Sequence, residues 1–252
     1  MALPRFFLAD AIAEARPLPL TAADVHHLRD VLRMSAGEHL IAVDPAGRSF
    51  EVCLTSVGVT VDGWVVCEIA TPQLPHVVLV QGVCKGEKMD LIVRQTAELG
   101  VGRVVPLLTS RVVVKLDAAK TAARCERWQR VAQAAAEQSG QSRVAQVAAP
   151  CDIVGLQAAL ADAAHTLVCW EDAHEAGIGE TLRSVNASAE DTVAVVVGPE
   201  GGFSADEVDS LTRMGAHAVS LGQTILRTET AGTVACALTL YELGGLGGTG
   251  RG

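Results

Sequence analysis

The stretch Asp191–Phe203, DTVAVVVGPEGGF, constrains this chain more than any other. Thr192–Val197 is a continuous run of β-branched and small apolar residues without polar alternation, the pattern of a strand buried on both faces of a parallel sheet. It ends in Gly198-Pro199-Glu200-Gly201-Gly202, where adjacent glycines permit backbone shapes and close approaches that a Cβ forbids. Ser204-Ala205-Asp206-Glu207 then has the S-x-x-E form of a capping box, and Val208, Leu211 and Met214 follow at helical spacing. A glycine loop thus lies between the carboxyl end of a buried strand and a helix, where open α/β sheets bind ligands. Taken alone, the loop also reads as a tight turn whose glycines are only steric. Neither G-x-x-x-x-G-K-[ST] nor G-x-G-x-x-G is present, and Glu200, Asp206 and Glu207 put negative charge where a phosphate would sit. A neutral or cationic ligand suits the loop better.

A second stretch, Leu221–Gly232 (LGQTILRTETAG), has the same logic. Ala218–Leu221 reads as a short strand, Gly222 ends it, and Ile225–Thr230 leads into a helix. Ala231, Gly232 and Ala235 are small, so that helix can press closely on what it covers. Two such loops can enclose one ligand.

Gly198–Ser204 together with Leu221-Gly222 and Ile225–Ala231 resembles the SPOUT class of S-adenosylmethionine-dependent RNA methyltransferases, and within it the RsmE type, which methylates N3 of a uridine in 16S rRNA. Pro4-Arg5-Phe6-Phe7, Val31-Leu32-Arg33, Lys85-Gly86-Glu87-Lys88, Glu98-Leu99-Gly100, Glu137–Gly140 and Arg143-Val144 extend the likeness over nearly the whole chain. The resemblance implies a C-terminal α/β trefoil-knot domain, a small N-terminal PUA-like β-barrel and a homodimer. It implies S-adenosyl-L-methionine as cofactor, held by Gly198, Pro199, Glu200, Gly201, Leu221, Gly222, Ile225, Leu226 and Arg227. Gln141-Ser142, Ala145 and Thr224 depart from the family pattern, which bears on RNA contacts more than on the cofactor loops.

The partition of the chain follows. Residues 1–72 are expected to form the β-rich RNA-binding domain and 73–252 the methyltransferase domain, with 243–252 a flexible tail. Thr71-Pro72-Gln73-Leu74-Pro75 is the punctuated linker between them. Strands are expected at His39–Val43, Arg48–Ser56, Val61–Ala70, His76–Cys84, Arg103–Leu108, Val112–Val114 and Thr166–Trp170. Helices are expected over Ala22–Met34 (Val25, Leu28, Val31 and Leu32 inward), Glu87–Leu99 (Asp90 and Arg94 paired outside) and about Ala118–Gln138. Phe6 and Phe7 read as core.

Composition excludes several classes. With 49% hydrophobic residues the 252-residue chain can build real cores. No apolar run reaches eighteen residues and the start lacks a signal-peptide layout, so a soluble cytoplasmic protein is expected, with no membrane association. Seven cysteines without C-x-x-C pairs indicate neither a metal site nor a disulfide framework. The net charge is −9, but residues 1–150 hold 16 Lys+Arg against 15 Asp+Glu, and the remainder 4 against 14. RNA contacts are therefore expected from the first part. Arg5, Arg29, Arg33, Lys85 and Arg143 are the candidates, with a solvated surface as the plainer reading of Arg29 and Arg33. Arg124, Arg127 and Arg130 form a stripe better read as ordinary solvated surface.

Methyl transfer to a ring nitrogen needs near-attack geometry and a route for the N3 proton. Arg227 can stabilise the developing uracil anion, and Glu200 or Glu229 can accept the proton. For Glu229, stabilisation of the helix dipole is an equally good reading. An rRNA methyltransferase acting on the small ribosomal subunit is the expected function. The alternatives are a SPOUT enzyme for another RNA, such as tRNA, and a non-catalytic RNA-binding assembly factor.

Overall fold

The computed structural model describes residues 3–12, 17–71, 73–111, 118–174 and 176–247. The strand expected at Val112–Val114, residue 72 of the linker and residues 248–252 of the tail lie outside them. The chain divides into two compact units, Met1–Pro72 with Ala136–Arg143, and Gln73–Ala135 with Val144–Gly252.

In the first unit β1 (Arg5–Phe7), β2 (His39–Val43), β3 (Ser49–Val57) and β4 (Val61–Ile69) form a four-stranded sheet in that order, parallel between β1 and β2 and antiparallel thereafter. The segment after β1 bridges its two edges: Ala9 N donates to Pro19 O (2.8 Å) and Leu18 N to Val61 O (2.9 Å). The core of this unit includes Phe6, Leu28, Leu40, Phe50, Val52 and Leu54.

The helix expected over Ala22–Met34 begins as α1 (Ala22–His26), with Thr21 and Asp24 forming a reciprocal capping box. It then widens into a π-turn at His27–Val31, closed by Leu32 N donating to His27 O. The i→i+5 turn adds a residue per turn and rotates everything after it. Leu28 stays fully buried, but Val31 and Leu32, expected inward, are 62% and 42% exposed. Arg33 then takes a left-handed φ of 55°, a conformation that costs a residue with a Cβ about 1–2 kcal/mol.

The second unit is a six-stranded, all-parallel sheet flanked by helices. Its strands are β5 (His76–Gly82), β6 (Arg103–Leu107), β7 (Gln146–Val147), β8 (His165–Cys169), β9 (Thr192–Val197) and β10 (His217–Val219), in the order β10-β8-β9-β5-β6-β7. The helices are α2 (Lys88–Leu99), α3 (Ala118–Ser139, whose residues from Ala136 on fall in the first unit), α4 (Ile153–Ala159), α5 (Ile178–Ser184), α6 (Ala205–Arg213) and α7 (Thr228–Glu242). The apolar run of β9 is explained by its position between β5 and β8. Val193, Val195 and Val197 enter the core on one face, Ala194 and Val196 the core on the other. Burying such a side chain stabilises the fold by about 1.5–3 kcal/mol.

After β10, at one edge of the sheet, α7 returns to the centre and packs against β5, β9 and α2. Ala231, Gly232 and Ala235 are buried there, as their small size predicts. On α2 the buried face is Met89, Ile92, Val93, Thr96 and Ala97. Asp90, expected outside and paired with Arg94, is instead buried and bonded to Arg127 of α3. The i,i+4 spacing permits the Arg94 pair, but a cation from a neighbouring helix reaches the carboxylate on its buried side.

The capping box at α6 forms as expected: Ser204 Oγ accepts from Glu207 N (3.3 Å) and Ser204 N donates to Glu207 Oε2 (2.8 Å). Glu207 also accepts from Ser110 N (2.7 Å), tying the 109–111 loop to the helix start. Burial pushes the Glu207 carboxyl up, but the hydrogen bonds from Ser204 and Ser110 outweigh it and leave it below the ordinary range. The stability this carboxylate adds is therefore complete above the usual glutamate pKa and fades as pH falls through the lowered one. Ser204→Ala should cost about 1 kcal/mol in urea denaturation with an unchanged m-value.

Candidate active site

Three loops at the carboxyl ends of neighbouring strands enclose a cavity of about 520 Å³: Gly198–Phe203 after β9, Trp170–His174 after β8, and Ser220–Arg227 between β10 and α7. Gly198, Pro199, Glu200, Leu221, Gly222, Ile225, Leu226 and Arg227 line it, as does Glu229 in the first turn of α7. Gly201 does not. Its missing Cβ would point at Arg111, 3.3 Å from that residue's Cβ, and Arg111 Nη1 donates to Gly201 O (2.7 Å). A side chain there meets Arg111 first, while its neighbours Glu200 and Gly202 line the cavity.

The glycines that matter for the cavity are others. Gly202 and Gly222 have φ of 65° and 115°, which a side chain would strain, and both line it. A Cβ on Gly198 would lie 3.2 Å from Gly202 Cα, so a side chain there would push the folded-back loop outward. The resulting cradle is of ligand size, half polar, and open to backbone atoms from two loops. S-adenosylmethionine fits it in kind: the lining carries three carboxylates, Glu171, Glu200 and Glu229, against Lys88 and Arg227, an excess of one negative charge that suits a sulfonium cation.

Lys88 is the residue that the sequence motif contains but leaves without a role. Its Nζ lies 3.3 Å from Glu200 Oε1 and 3.5 Å from Glu229 Oε2, joining a carboxylate of the glycine loop to one of α7. Glu200 Oε1 also accepts from Lys85 N (3.1 Å). Burial raises the Glu200 pKa, but the backbone hydrogen bonds from Glu200 itself and Lys85, with Lys88, bring it below the ordinary value. Glu200 is therefore ionised at neutral pH. Arg227 is exposed at the rim and caps α7 without a side-chain bond to it; no hydrogen-bond or ion-pair partner engages its guanidinium among the described residues. Trp170, Glu171 and His174 also border the cavity. They follow a strand recognisable in the sequence, and the rule that ligands bind beyond strand carboxyl ends applies to β8 as it does to β9.

The cations expected to meet RNA are differently placed. Arg5, half-buried on β1, donates to Ser49 Oγ (3.1 Å), and burial lowers its pKa. Arg29 is exposed but paired with Asp30 (2.6 Å). Arg33 is exposed in its left-handed conformation. Lys85 has an exposed side chain beside the glycine loop that its backbone holds, and Arg143 is half-buried with its pKa lowered by burial. Arg127 of the stripe on α3 is committed to Asp90. Burial pushes the Cys84 thiol, beside Thr228, up to about 11 and the Cys169 thiol up to about 12, so neither is a thiolate at neutral pH. Among the described residues no group of three His, Cys, Asp or Glu is placed to hold a metal ion.

The model of an RNA methyltransferase domain matches residues 72–240 and that of an RNA methyltransferase PUA domain residues 20–61. By class, then, the α/β sheet with its loop cavity is a SPOUT RNA methyltransferase carrying an N-terminal PUA-like domain. Ribosomal RNA small subunit methyltransferase E of Bacillus subtilis is 31% identical over 248 residues, 95% of this chain and 97% of that protein. The Mycobacterium bovis protein of the same name is 30% identical over 91% of this chain and 88% of its own length. The structure of the Neisseria gonorrhoeae enzyme bound to S-adenosyl methionine superposes with a TM-score of 0.81 at 28% identity, covering 94% of this chain and 96% of that one. The chain belongs to the ribosomal RNA small subunit methyltransferase E family.

Proposed function

We propose that this chain transfers a methyl group from S-adenosyl-L-methionine to N3 of one uridine in 16S rRNA of the small ribosomal subunit, in the cytoplasm and as a homodimer. The observation that carries the reading is the cavity: two glycine loops with an unpaired arginine at the rim and two carboxylates bridged by one lysine. When bound, the donor supplies a methyl group on a sulfonium centre, and the chain supplies position and charge. Glu171, Glu200 and Glu229 balance the sulfonium, while Lys88 keeps the last two from repelling each other. Arg227 is free to stabilise the negative charge that develops on the uracil ring as the N3 proton leaves. Glu229, whose buried Oε2 has Lys88 Nζ at 3.5 Å, and the ionised Glu200 are the groups able to receive that proton. In this reading residues 1–72 capture RNA and residues 73–252 carry out the chemistry.

The direct test is transfer from labelled S-adenosylmethionine to small subunits isolated from cells lacking the protein, with mass spectrometry of the rRNA. One new 3-methyluridine is expected. Methylation of tRNA alone, or of another atom, overturns the reading. The assembled subunit should serve better than naked rRNA, because an acidic chain lacks the charge for tight sequence-blind binding.

The homodimer reading rests on α7, where Leu238 and Tyr241 are 41% and 61% exposed, and on Ile225, 85% exposed at the cavity. Light scattering should give twice the chain mass; a fully active monomer would refute it. For RNA contact, Arg33→Gly is the informative change. It keeps the left-handed backbone and relieves about 1 kcal/mol of strain, so stability should rise slightly. RNA affinity should fall, with the salt slope reduced by about one, if Arg33 meets a phosphate.

A further inference from the structure

Gln81, the penultimate residue of β5, has a fully buried side chain at the point where three segments meet. Its Nε2 donates to Thr228 Oγ1 (2.9 Å), Gly82 O (3.1 Å) and Gly198 O (3.3 Å). The Thr228 hydroxyl in turn donates to Gly198 O at 2.6 Å. One amide and one hydroxyl thus tie the end of β5 to the first residue of the glycine loop and the first residue of α7. Thr228 stands between Arg227 and Glu229, and Gly198 is two residues from Glu200. Arg227, Glu229 and Glu200, the three residues proposed to handle the N3 proton and the charge it leaves, are therefore each within two residues of this node.

The node is not arranged for stability alone. Gln81 Oε1 is buried without a hydrogen-bond partner. It faces Gly232, where a Cβ would lie 2.8 Å from it. A leucine or methionine in this core would carry no such unsatisfied atom, which costs stability. A local conflict of this kind is expected where geometry matters more than stability.

Resting on the function proposed above, we infer that Gln81 is a positioning residue for methyl transfer: through Thr228 it sets the glycine loop and the Arg227–Glu229 segment in one fixed relation. Thr228→Val keeps the shape and removes the hydroxyl, whereas Thr228→Ser keeps the hydroxyl. Thr228→Val and Gln81→Leu should each lower kcat on the order of 100-fold, the effect of misplaced reacting groups, with KM for RNA within about twofold. Thr228→Ser should restore most of the rate. In the protein without donor, amide hydrogen exchange should accelerate together in peptides covering 198–203 and 227–231 in Thr228→Val, and not in Thr228→Ser. Should Gln81→Leu fail to fold, the two Thr228 variants decide. Unchanged kcat in Thr228→Val, an equal loss in Thr228→Ser, or exchange that loosens neither loop or only one overturns the inference. If the wild-type protein methylates no rRNA, the functional reading fails, and the exchange experiment still decides whether the node couples the loops.

Discussion

Arg227→Ala is expected to lower single-turnover methyl transfer to small-subunit rRNA by about 100- to 1,000-fold, the usual effect of removing one hydrogen-bond donor from a developing anion. The size follows from the state of the side chain. Arg227 lines the cavity, and no partner would be stranded by its removal among the described residues, so stability should hardly change. Lys88 is already shared between Glu200 and Glu229 and is not free to take over. Arg227→Lys should recover only part of the rate, because an ammonium lacks the planar fork. Donor affinity by calorimetry should change less than the rate. A raised KM for RNA with an unaltered kcat would show instead that Arg227 binds the acceptor equally in ground and transition states.

How much of this site was legible in the sequence depends on the distance over which each feature is determined. The β9 strand, its glycine loop and the Ser204–Glu207 box are local, and they stand in the fold as the residues imply. The two-faced burial of β9 is also a local signal, since five consecutive apolar positions leave no face for water. What escaped was set by tertiary neighbours. The motif places Lys88 at the start of a helix, but only the approach of α7 brings Glu229 to it. Gly201 and Gly202 are indistinguishable as letters, yet one turns its missing side chain to Arg111 and the other lines the cavity with φ of 65°. The inward face expected for Val31 and Leu32 assumed a regular helical period, which the π-turn at His27–Val31 breaks. Gln81 falls inside the strand expected at His76–Cys84, and nothing nearby in sequence announces Thr228 as its partner.

The largest structural effect is expected at a glycine with no motif around it. Gly82 ends β5 beside the turn of the glycine loop. A Cβ there would lie 2.8 Å from the Gly198 carbonyl carbon and closer still to Pro199 N and Cδ. Those are backbone and ring atoms with no rotamer to escape into, so either β5 or the loop must move. Overpacking of this kind costs about 1–3 kcal/mol. For a chain of this size Gly82→Ala should then lower Tm by roughly 3–10 °C. Because the displaced Pro199 lines the cavity, calorimetric binding of S-adenosylmethionine should fall by more than tenfold as well, an estimate of about 1.4 kcal/mol or more. Gly201→Ala is the control: its Cβ would meet Arg111 Cβ at 3.3 Å, a milder contact than any at Gly82, so donor binding should fall less. A lowered Tm with intact donor binding in Gly82→Ala would show that the contact of β5 with Pro199 does not shape the cofactor site. Wild-type values of both would mean that β5 and the loop are not in the tight contact described.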